Sequence, residues 1–235
     1  MLQFSSSPTS ACGRAKPPFR CIMTLILFDF DGVLADTQRD LLQFGQEACD
    51  ELGVKHTVTQ NDLNSLEIMS FATYGQQLEV PTHLVDEFVR RCLAKFGEKK
   101  SPPELFEGLD AVIREISMDN TIGVITGNSS ENVRAFLATH GLERFICAIY
   151  GVDTPGSKTE KILLAQNQFA AEGEVVLMVG DSVSDIRAAK GASIKSIAVS
   201  WGHQSADMLL RAMPDYLVHS PAELLEVIGK YKNHL

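Results

Sequence analysis

The chain has 235 residues and a formal net charge of −9. This length suffices for one large hydrophobic core, alone or with a smaller satellite domain. The acidic balance argues against a protein that binds the phosphate backbone of nucleic acids, and no uninterrupted apolar stretch reaches the roughly 18 residues of a membrane-spanning helix. The five cysteines form no Cys-x-x-Cys pair, so we expect free thiols and a cytoplasmic location, without disulfides or a zinc site.

Residues 1–23 precede the first predicted element. They are rich in Ser and Pro, and they carry Arg14, Lys16 and Arg20 without any acidic residue. This composition is compatible with a transit peptide and, equally, with an upstream extension in front of an alternative start at Met23. In both cases we expect residues 1–23 to be a disordered N-terminal extension outside the fold.

From Thr24 onward, segments typical of strands alternate with segments typical of helices. The first strand is predicted at 25–28, and residues 37 to about 99 read as several amphipathic helices, one with Pro81 in its first turn. After Ser101-Pro-Pro the pattern predicts, in order, a helix at 109–116, strand 121–125, helix 130–139, strand 145–150, helix 158–171, strand 175–179, helix 183–190, strand 194–199, helix 207–212, strand 216–218 and helix 222–231.

Short strands separated by single helices predict a parallel sheet with right-handed crossovers. The predicted fold class is therefore α/β, a Rossmann-like doubly wound parallel sheet with an inserted α-helical cap. We assign residues 24–36 and 105–235 to the α/β core. Residues 37–104 are the predicted cap, which would lie over the carboxyl edge of the sheet.

The first strand ends in two carboxylates, Asp29 and Asp31, followed by Gly32. Residues two apart in an extended chain point to the same side, so we expect the two carboxylates to project together. Close, buried carboxylates repel each other, and a cation, a proton or both would relieve this repulsion. Open α/β sheets bind ligands at the carboxyl ends of their strands, which makes this pair a candidate active site.

The second core strand is followed by Thr126, Gly127 and Asn128. A hydroxyl, a backbone amide and a carboxamide are uncharged donors suited to phosphoryl oxygens, and the next helix would add its amino-terminal dipole. The same residue types also form ordinary strand-to-helix turns.

Lys158 opens a predicted helix, where a cation is unfavourable by a few tenths of a kcal/mol. A lysine in this position often has an anion to neutralise. On this segment alone, a solvated surface lysine is the simpler interpretation.

A later strand ends in Asp181, and Asp185 follows in the first turn of the next helix. Helix capping explains one aspartate well and two less well. Because the ligands are oxygen atoms with no His or Cys nearby in the sequence, this pair favours Mg²⁺ over zinc or copper.

These motifs in this order resemble the haloacid dehalogenase superfamily of phosphotransferases, with a layout most similar to the phosphoglycolate phosphatase branch. The resemblance spans residues 24–229 and includes a helical cap. It implies Asp29 as nucleophile, Asp31 as general acid/base and Lys158 as the residue that stabilises a phosphoaspartate. The phosphate-binding residues it implies are Thr126, Gly127, Asn128 and Lys158, and the Mg²⁺ ligands are Asp29, Asp31 through its backbone carbonyl, Asp181 and Asp185, the last directly or through a water.

The implied function is Mg²⁺-dependent hydrolysis of a small phosphorylated metabolite. An aspartate at position 31 favours phosphoryl transfer over the dehalogenase and phosphonatase members, which lack it. A phosphomutase of the β-phosphoglucomutase type, a phospho-accepting receiver-type module and a non-catalytic scaffold remain as alternatives. Substrate specificity would reside in the cap, and Trp201-Gly202-His203 either borders the pocket or forms a structural loop. The sequence predicts no nucleic-acid or membrane partner and leaves the oligomeric state open.

Overall fold

The computed structural model describes residues 24–233, except residues 67–68, 100 and 172. The predicted disordered extension, residues 1–23, lies outside the described residues. Within the described part, no helix is both long and apolar enough to cross a membrane. Cys49 and Cys92 are free thiols, and both are buried.

The core is a six-stranded parallel sheet. Its strands, in spatial order, are β5 (Ile146–Tyr150), β4 (Thr121–Ile125), β1 (Leu25–Phe28), β6 (Val176–Gly180), β7 (Lys195–Val199) and β8 (Tyr216–Val218). The chain builds outward from β1 to β5 on one side, then crosses back to β6 and continues to β8 on the other. The strand order therefore reverses at β1, and ligands of open α/β sheets bind at such a reversal.

The alternation of side chains in β1 separates two apolar layers. Ile26 and Phe28 face a cluster formed with α5 (Leu109–Ile116), α6 (Ser130–Thr139) and α10 (Pro221–Gly229). Leu25 and Leu27 face the opposite cluster, formed with α7 (Lys158–Phe169) and α8 (Val183–Gly191). The short helix α9 (Ala206–Arg211) packs through Leu209 beside β7. Because β1 is covered on both faces, its residues form a continuous apolar run.

The segment between β1 and α5 folds as a helical insertion. Its elements are β2 (Ala35–Asp36), α1 (Gln38–Glu51), α2 (Gln60–Asn64), α3 (Phe71–Gln77), a 3₁₀ turn (Thr82–Leu84), α4 (Val85–Glu98) and β3 (Glu104–Leu105). The four α-helices enclose an apolar cluster of their own, centred on Tyr74 and Phe88. This confirms the predicted α/β core with a helical cap. The predicted boundaries at residues 36/37 and 104/105 stay a prediction.

The short strands β2 and β3 pair antiparallel where the chain leaves and re-enters the core. The sequence does not predict them, because two residues are too few to show a periodicity. The expected first turn at Pro81 is a 3₁₀ turn over Thr82–Leu84, and α4 itself begins at Val85.

Five of the predicted core elements match the observed bounds residue for residue: β1, α5, β4, α6 and β8. The others shift by one or two residues at one or both ends, where capping and 3₁₀ turns decide the boundary. Phe145 ends a 3₁₀ turn instead of starting β5, and α7 ends at Phe169 because Ala170 is extended. Strands β6 and β7 begin one residue later than predicted, whereas α8 extends one residue further, to Gly191. Helix α9 begins and ends one residue earlier, and α10 starts at Pro221 and gives way to a 3₁₀ turn after Gly229.

Candidate active site

Three aspartates converge at the carboxyl edge of the sheet, beside the point where the strand order reverses. Asp29 follows β1, Asp181 follows the adjacent strand β6, and Asp185 lies in the first turn of α8. One carboxylate oxygen from each of the three lies within 4.8 Å of the others. Asp181 and Asp185 are each only 1% exposed. Among the described residues, these three side chains form the group that could share a metal ion.

The loop after β1 is a tight turn that fixes where Asp29 and Asp31 lie. The Phe30 carbonyl oxygen accepts hydrogen bonds from three successive amides, those of residues 33, 34 and 35, at 3.3, 2.9 and 3.0 Å. Gly32 adopts a left-handed φ of +77°, and a Cβ there would overlap Asp181 Oδ2. A glycine is therefore required for this loop to lie against the acidic cluster.

The carboxylates of Asp29 and Asp31 have different surroundings. Asp29 Oδ1 accepts a hydrogen bond from the Phe30 amide at 2.8 Å, while its Oδ2 faces Lys158. Asp31 accepts a hydrogen bond from Asn128 Nδ2 at 3.3 Å and stands outside the group of three carboxylates. The predicted contribution of Asp31 to a metal site, through its backbone carbonyl, stays a prediction.

Lys158 projects into the acidic cluster and not into solvent. Its ammonium donates to Asp29 Oδ2 at 2.8 Å and to Asp185 Oδ1 at 2.5 Å. Ser157 caps α7 in a reciprocal capping box with Glu160, which fixes the helix start from which Lys158 extends. Burial alone would lower the pKa of Lys158, but Asp185 and Asp29 raise it, so the side chain carries a positive charge. The simpler interpretation from its own segment, a solvated lysine, is wrong.

Burial dominates the electrostatics of both carboxyl groups in the β1 loop. It raises the pKa of Asp29 to about 8; Lys158 opposes this rise, and Asp185 and Asp181 add to it. Burial also raises the pKa of Asp31, against the lowering effects of His203 and of the Asn128 hydrogen bond. With its raised pKa, the Asp31 carboxyl group retains its proton more readily, and this suits a proton donor.

Asp185 uses its two oxygens for different purposes. Oδ2 accepts from the Ser182 amide at 3.1 Å and from the Ser182 hydroxyl at 2.6 Å, which completes a capping box at the start of α8. Oδ1 faces Lys158. Helix capping and a position in the site are therefore both correct descriptions of this residue. Gly180 makes the arrangement possible, because a Cβ there would overlap Asp185.

The loop after β4 presents uncharged groups to the same edge. The Thr126 hydroxyl accepts from the Asn128 amide at 3.0 Å, and Asn128 Oδ1 accepts from the Ser129 amide at 2.8 Å. Ser129 in turn caps α6 through the Asn132 amide. Asn128 Nδ2 is thereby directed at Asp31. A Cβ at Gly127 would meet no described atom within 4 Å, so this face of the loop is open.

The loop after β7 contributes His203, which the predicted set of site residues omits. Its side chain is buried, and Nδ1 lies 2.8 Å from Asp181 Oδ2. Burial raises the pKa of Asp181, but the charge and hydrogen bonds of His203 bring it below its ordinary value. Burial alone would lower the pKa of His203, but Asp181, and to a smaller extent Asp31, raise this pKa above its ordinary value. The sequence signal that could have identified His203 is its position in the loop after β7, because β7 lies next to β6, the strand that Asp181 follows.

The donor set fits a hard divalent cation. Every ligand atom that the three aspartates offer is a carboxylate oxygen, the type that Mg²⁺ prefers. Three carboxylates opposite one ammonium leave a negative balance when all are ionised. A divalent cation compensates that balance and favours the ionised form of Asp29.

Comparison with known proteins identifies the family. Residues 26–199 match the model of the haloacid dehalogenase-like hydrolases. The phosphoglycolate phosphatase of Synechococcus elongatus is 26% identical over 210 residues, covering 88% of this chain and 97% of that protein. The phosphoglycolate phosphatase of Vibrio cholerae is 29% identical over 225 residues, covering 87% of this chain and 96% of that protein.

Among solved structures, a haloacid dehalogenase-like hydrolase of Streptococcus pneumoniae superposes with a TM-score of 0.77 at 22% identity. The alignment covers 88% of this chain and 98% of that one, and it confirms the predicted fold. The predicted similarity to the phosphoglycolate phosphatase branch is confirmed by the two relatives. The chain belongs to the haloacid dehalogenase-like hydrolase family.

Proposed function

We propose that this protein is a Mg²⁺-dependent phosphatase that hydrolyses a small phosphomonoester through a phosphoaspartate at Asp29. The observation that carries the proposal is the position of Asp29: its carboxylate contacts the Lys158 ammonium at 2.8 Å and lies within 4.8 Å of Asp181 and Asp185. The two relatives described above, each covered nearly in full, are phosphoglycolate phosphatases.

The residues that would hold Mg²⁺ are Asp29, Asp181 and Asp185, together with the backbone carbonyl of Asp31. When bound, the ion supplies positive charge that neutralises a phosphoryl oxygen and the carboxylates around it. Lys158 takes a second phosphoryl oxygen from the side of α7. Thr126, Gly127 and Asn128 bind the remaining oxygens, at the amino-terminal end of α6.

Asp29 and Asp31 divide the chemistry between them. One Asp29 carboxylate oxygen forms a bond to phosphorus while the bond from phosphorus to the ester oxygen breaks. Asp31 gives its proton to the leaving alkoxide, a role supported by its raised pKa and by the Asn128 hydrogen bond that orients it. The same carboxylate then takes a proton from the water that attacks phosphorus, which releases inorganic phosphate and restores Asp29.

Specificity for the substrate belongs to the helical insertion. Among the polar and aromatic side chains of the cap, Tyr74 lies in the cap core with its hydroxyl donating to the Leu41 carbonyl, whereas Gln76 and His83 are exposed. We propose a small, phosphoglycolate-like substrate because the chain is similar to the two phosphoglycolate phosphatases described above. The cytoplasmic location stays a prediction.

The experiment is a phosphate-release assay on a panel of small phosphorylated metabolites that includes phosphoglycolate and β-glucose 1-phosphate. The wild type with Mg²⁺ should release inorganic phosphate, EDTA should abolish release, and added Mg²⁺ should restore it. Asp29→Asn should abolish turnover, while Asp207→Asn, at an exposed carboxylate on α9, should not. Transfer of phosphate between positions of a sugar without release would instead show a mutase. Full activity in Asp29→Asn or in EDTA would overturn the proposal.

A further inference from the structure

His203 makes two hydrogen bonds to one oxygen of Asp181. Its backbone amide donates to Asp181 Oδ2 at 2.7 Å, and its imidazole Nδ1 approaches the same oxygen at 2.8 Å. Both partners are almost fully buried, with the His203 side chain 3% and the Asp181 side chain 2% exposed. The histidine thus fixes one of the two carboxylate oxygens of an aspartate that belongs to the acidic cluster.

The imidazole is itself fixed from the opposite side. Its Nε2 lies 3.2 Å from the Thr37 hydroxyl. Thr37 is the N-cap residue of α1, yet its side chain makes no capping hydrogen bond to that helix. A threonine at an N-cap usually accepts a hydrogen bond from the first turn of its helix, whereas this hydroxyl contacts the imidazole of His203.

The backbone around His203 is anchored independently of its side chain. Trp201 Nε1 donates to the Val33 carbonyl at 3.2 Å. Gln204 accepts from the Val183 amide at 2.6 Å and donates to the Leu66 carbonyl of the helical insertion. These contacts keep the loop in place when residue 203 is replaced, so the imidazole can be tested on its own.

We propose that His203 is a positioning residue: it orients the Asp181 carboxylate for the divalent cation and so sets the affinity of the site for that ion. This inference rests on the proposed function and extends that function to a residue that is not itself a metal ligand. Partners that hydrogen-bond a ligating carboxylate commonly change metal affinity by about 10- to 100-fold when they are lost.

Three substitutions separate positioning from simple packing. His203→Asn places an amide nitrogen near the position of Nδ1 and retains the donor to Asp181. His203→Gln places its amide further out, toward Thr37, and leaves Asp181 without its side-chain donor. His203→Leu fills similar space without either polar group. The matched control is His219→Leu, an exposed histidine that follows the neighbouring strand β8 and bonds to Ser200.

The measurement is Mg²⁺ and Mn²⁺ binding to the full chain by titration calorimetry without substrate, alongside kcat at rising Mg²⁺ and thermal unfolding. His203→Leu and His203→Gln should raise the dissociation constant by about 10- to 100-fold. His203→Asn should restore most of the affinity, His219→Leu should match the wild type, and saturating Mg²⁺ should recover much of kcat.

Equal ion affinity in the wild type and His203→Leu would overturn the inference and leave the proposed function intact. Equal losses in His203→Asn and His203→Leu would also overturn it, because the retained donor would then have no effect. If His203→Leu does not fold, the comparison of Asn with Gln decides. A wild type that binds neither ion would contradict the proposed function itself, and the inference with it.

Discussion

Replacing Gly32 by alanine tests how closely the loop after β1 packs against the Asp181 carboxylate. The substitution has two costs. Residue 32 has a φ of +77°, and an L-residue in the left-handed region costs roughly 1–2 kcal/mol. The new Cβ would also overlap Asp181 Oδ2 and lie 2.5 Å from His203 Nδ1, and overpacking of this kind typically costs about 1–3 kcal/mol.

Together these terms predict that Gly32→Ala lowers the free energy of unfolding by about 2–5 kcal/mol. Gly141→Ala is the matched control in the same α/β core. Its φ is +65°, but its Cβ would lie 3.7 Å from Arg114 Nη2, an ordinary contact. In Gly141→Ala the free energy of unfolding should fall only by the backbone cost of about 1–2 kcal/mol. The gain from restricting the unfolded chain is common to both variants and cancels in the comparison.

The assay is urea-induced unfolding of the wild type and both variants, with divalent-ion binding measured on each folded protein. We expect a larger loss of stability in Gly32→Ala than in Gly141→Ala. We also expect weaker ion binding in Gly32→Ala alone, because the added methyl group displaces Asp181 or His203. Equal losses of stability with unchanged ion affinity in both variants would refute the packing described here.

Two further variants test separate parts of the structure. Asp31→Asn should lower the hydrolysis of an alkyl phosphomonoester by about 10²–10⁴-fold, the usual contribution of a general acid and base; an unchanged rate would reassign that role. Burial raises the pKa of Asp62, but hydrogen bonds from Thr59, with His56 adding, bring it below its ordinary value. The stability from these bonds is therefore present above the ordinary carboxyl pKa near 4 and is lost as the pH falls through the lower folded value. Asp62→Asn should be about 1 kcal/mol less stable than the wild type at pH 7, with the gap closing in acid; a gap in thermal or urea unfolding that persists at low pH would contradict this.

The elements with a clear pattern of apolar residues could be predicted from the sequence. The continuous apolar run of β1 reflects burial on both faces of the sheet, and the amphipathic patterns of α5 and α6 reflect burial of one helix face. The two-residue strands β2 and β3 could not, because pairing between distant segments and not local pattern creates them. Several helix ends shifted by one or two residues: α7 ends early at the extended Ala170, and α10 gives way to a 3₁₀ turn after Gly229.

The same distinction applies to the candidate site. Asp29 and Asp181 could be predicted because each follows a buried strand, and neighbouring parallel strands end at one edge of the sheet. Lys158 required the superfamily resemblance, since a lysine at a helix start suggests a nearby anion but does not identify it as Asp29. The sequence left His203 open, either beside the pocket or in a structural loop, because its two contacts, with Asp181 and Thr37, are encoded by no local motif.

The central claim is that Asp29 becomes covalently phosphorylated during turnover. Borohydride reduces an acyl phosphate on aspartate to homoserine, which peptide mass spectrometry can locate. The experiment uses the Asp31→Asn variant with p-nitrophenyl phosphate as substrate. The p-nitrophenolate leaving group needs no proton, so the phosphoaspartate can still form. Its hydrolysis lacks the Asp31 base, so the phosphoaspartate should accumulate. We predict homoserine at position 29, and none in Asp29→Asn. Turnover without homoserine at position 29, or with the modification at another residue, would contradict the account.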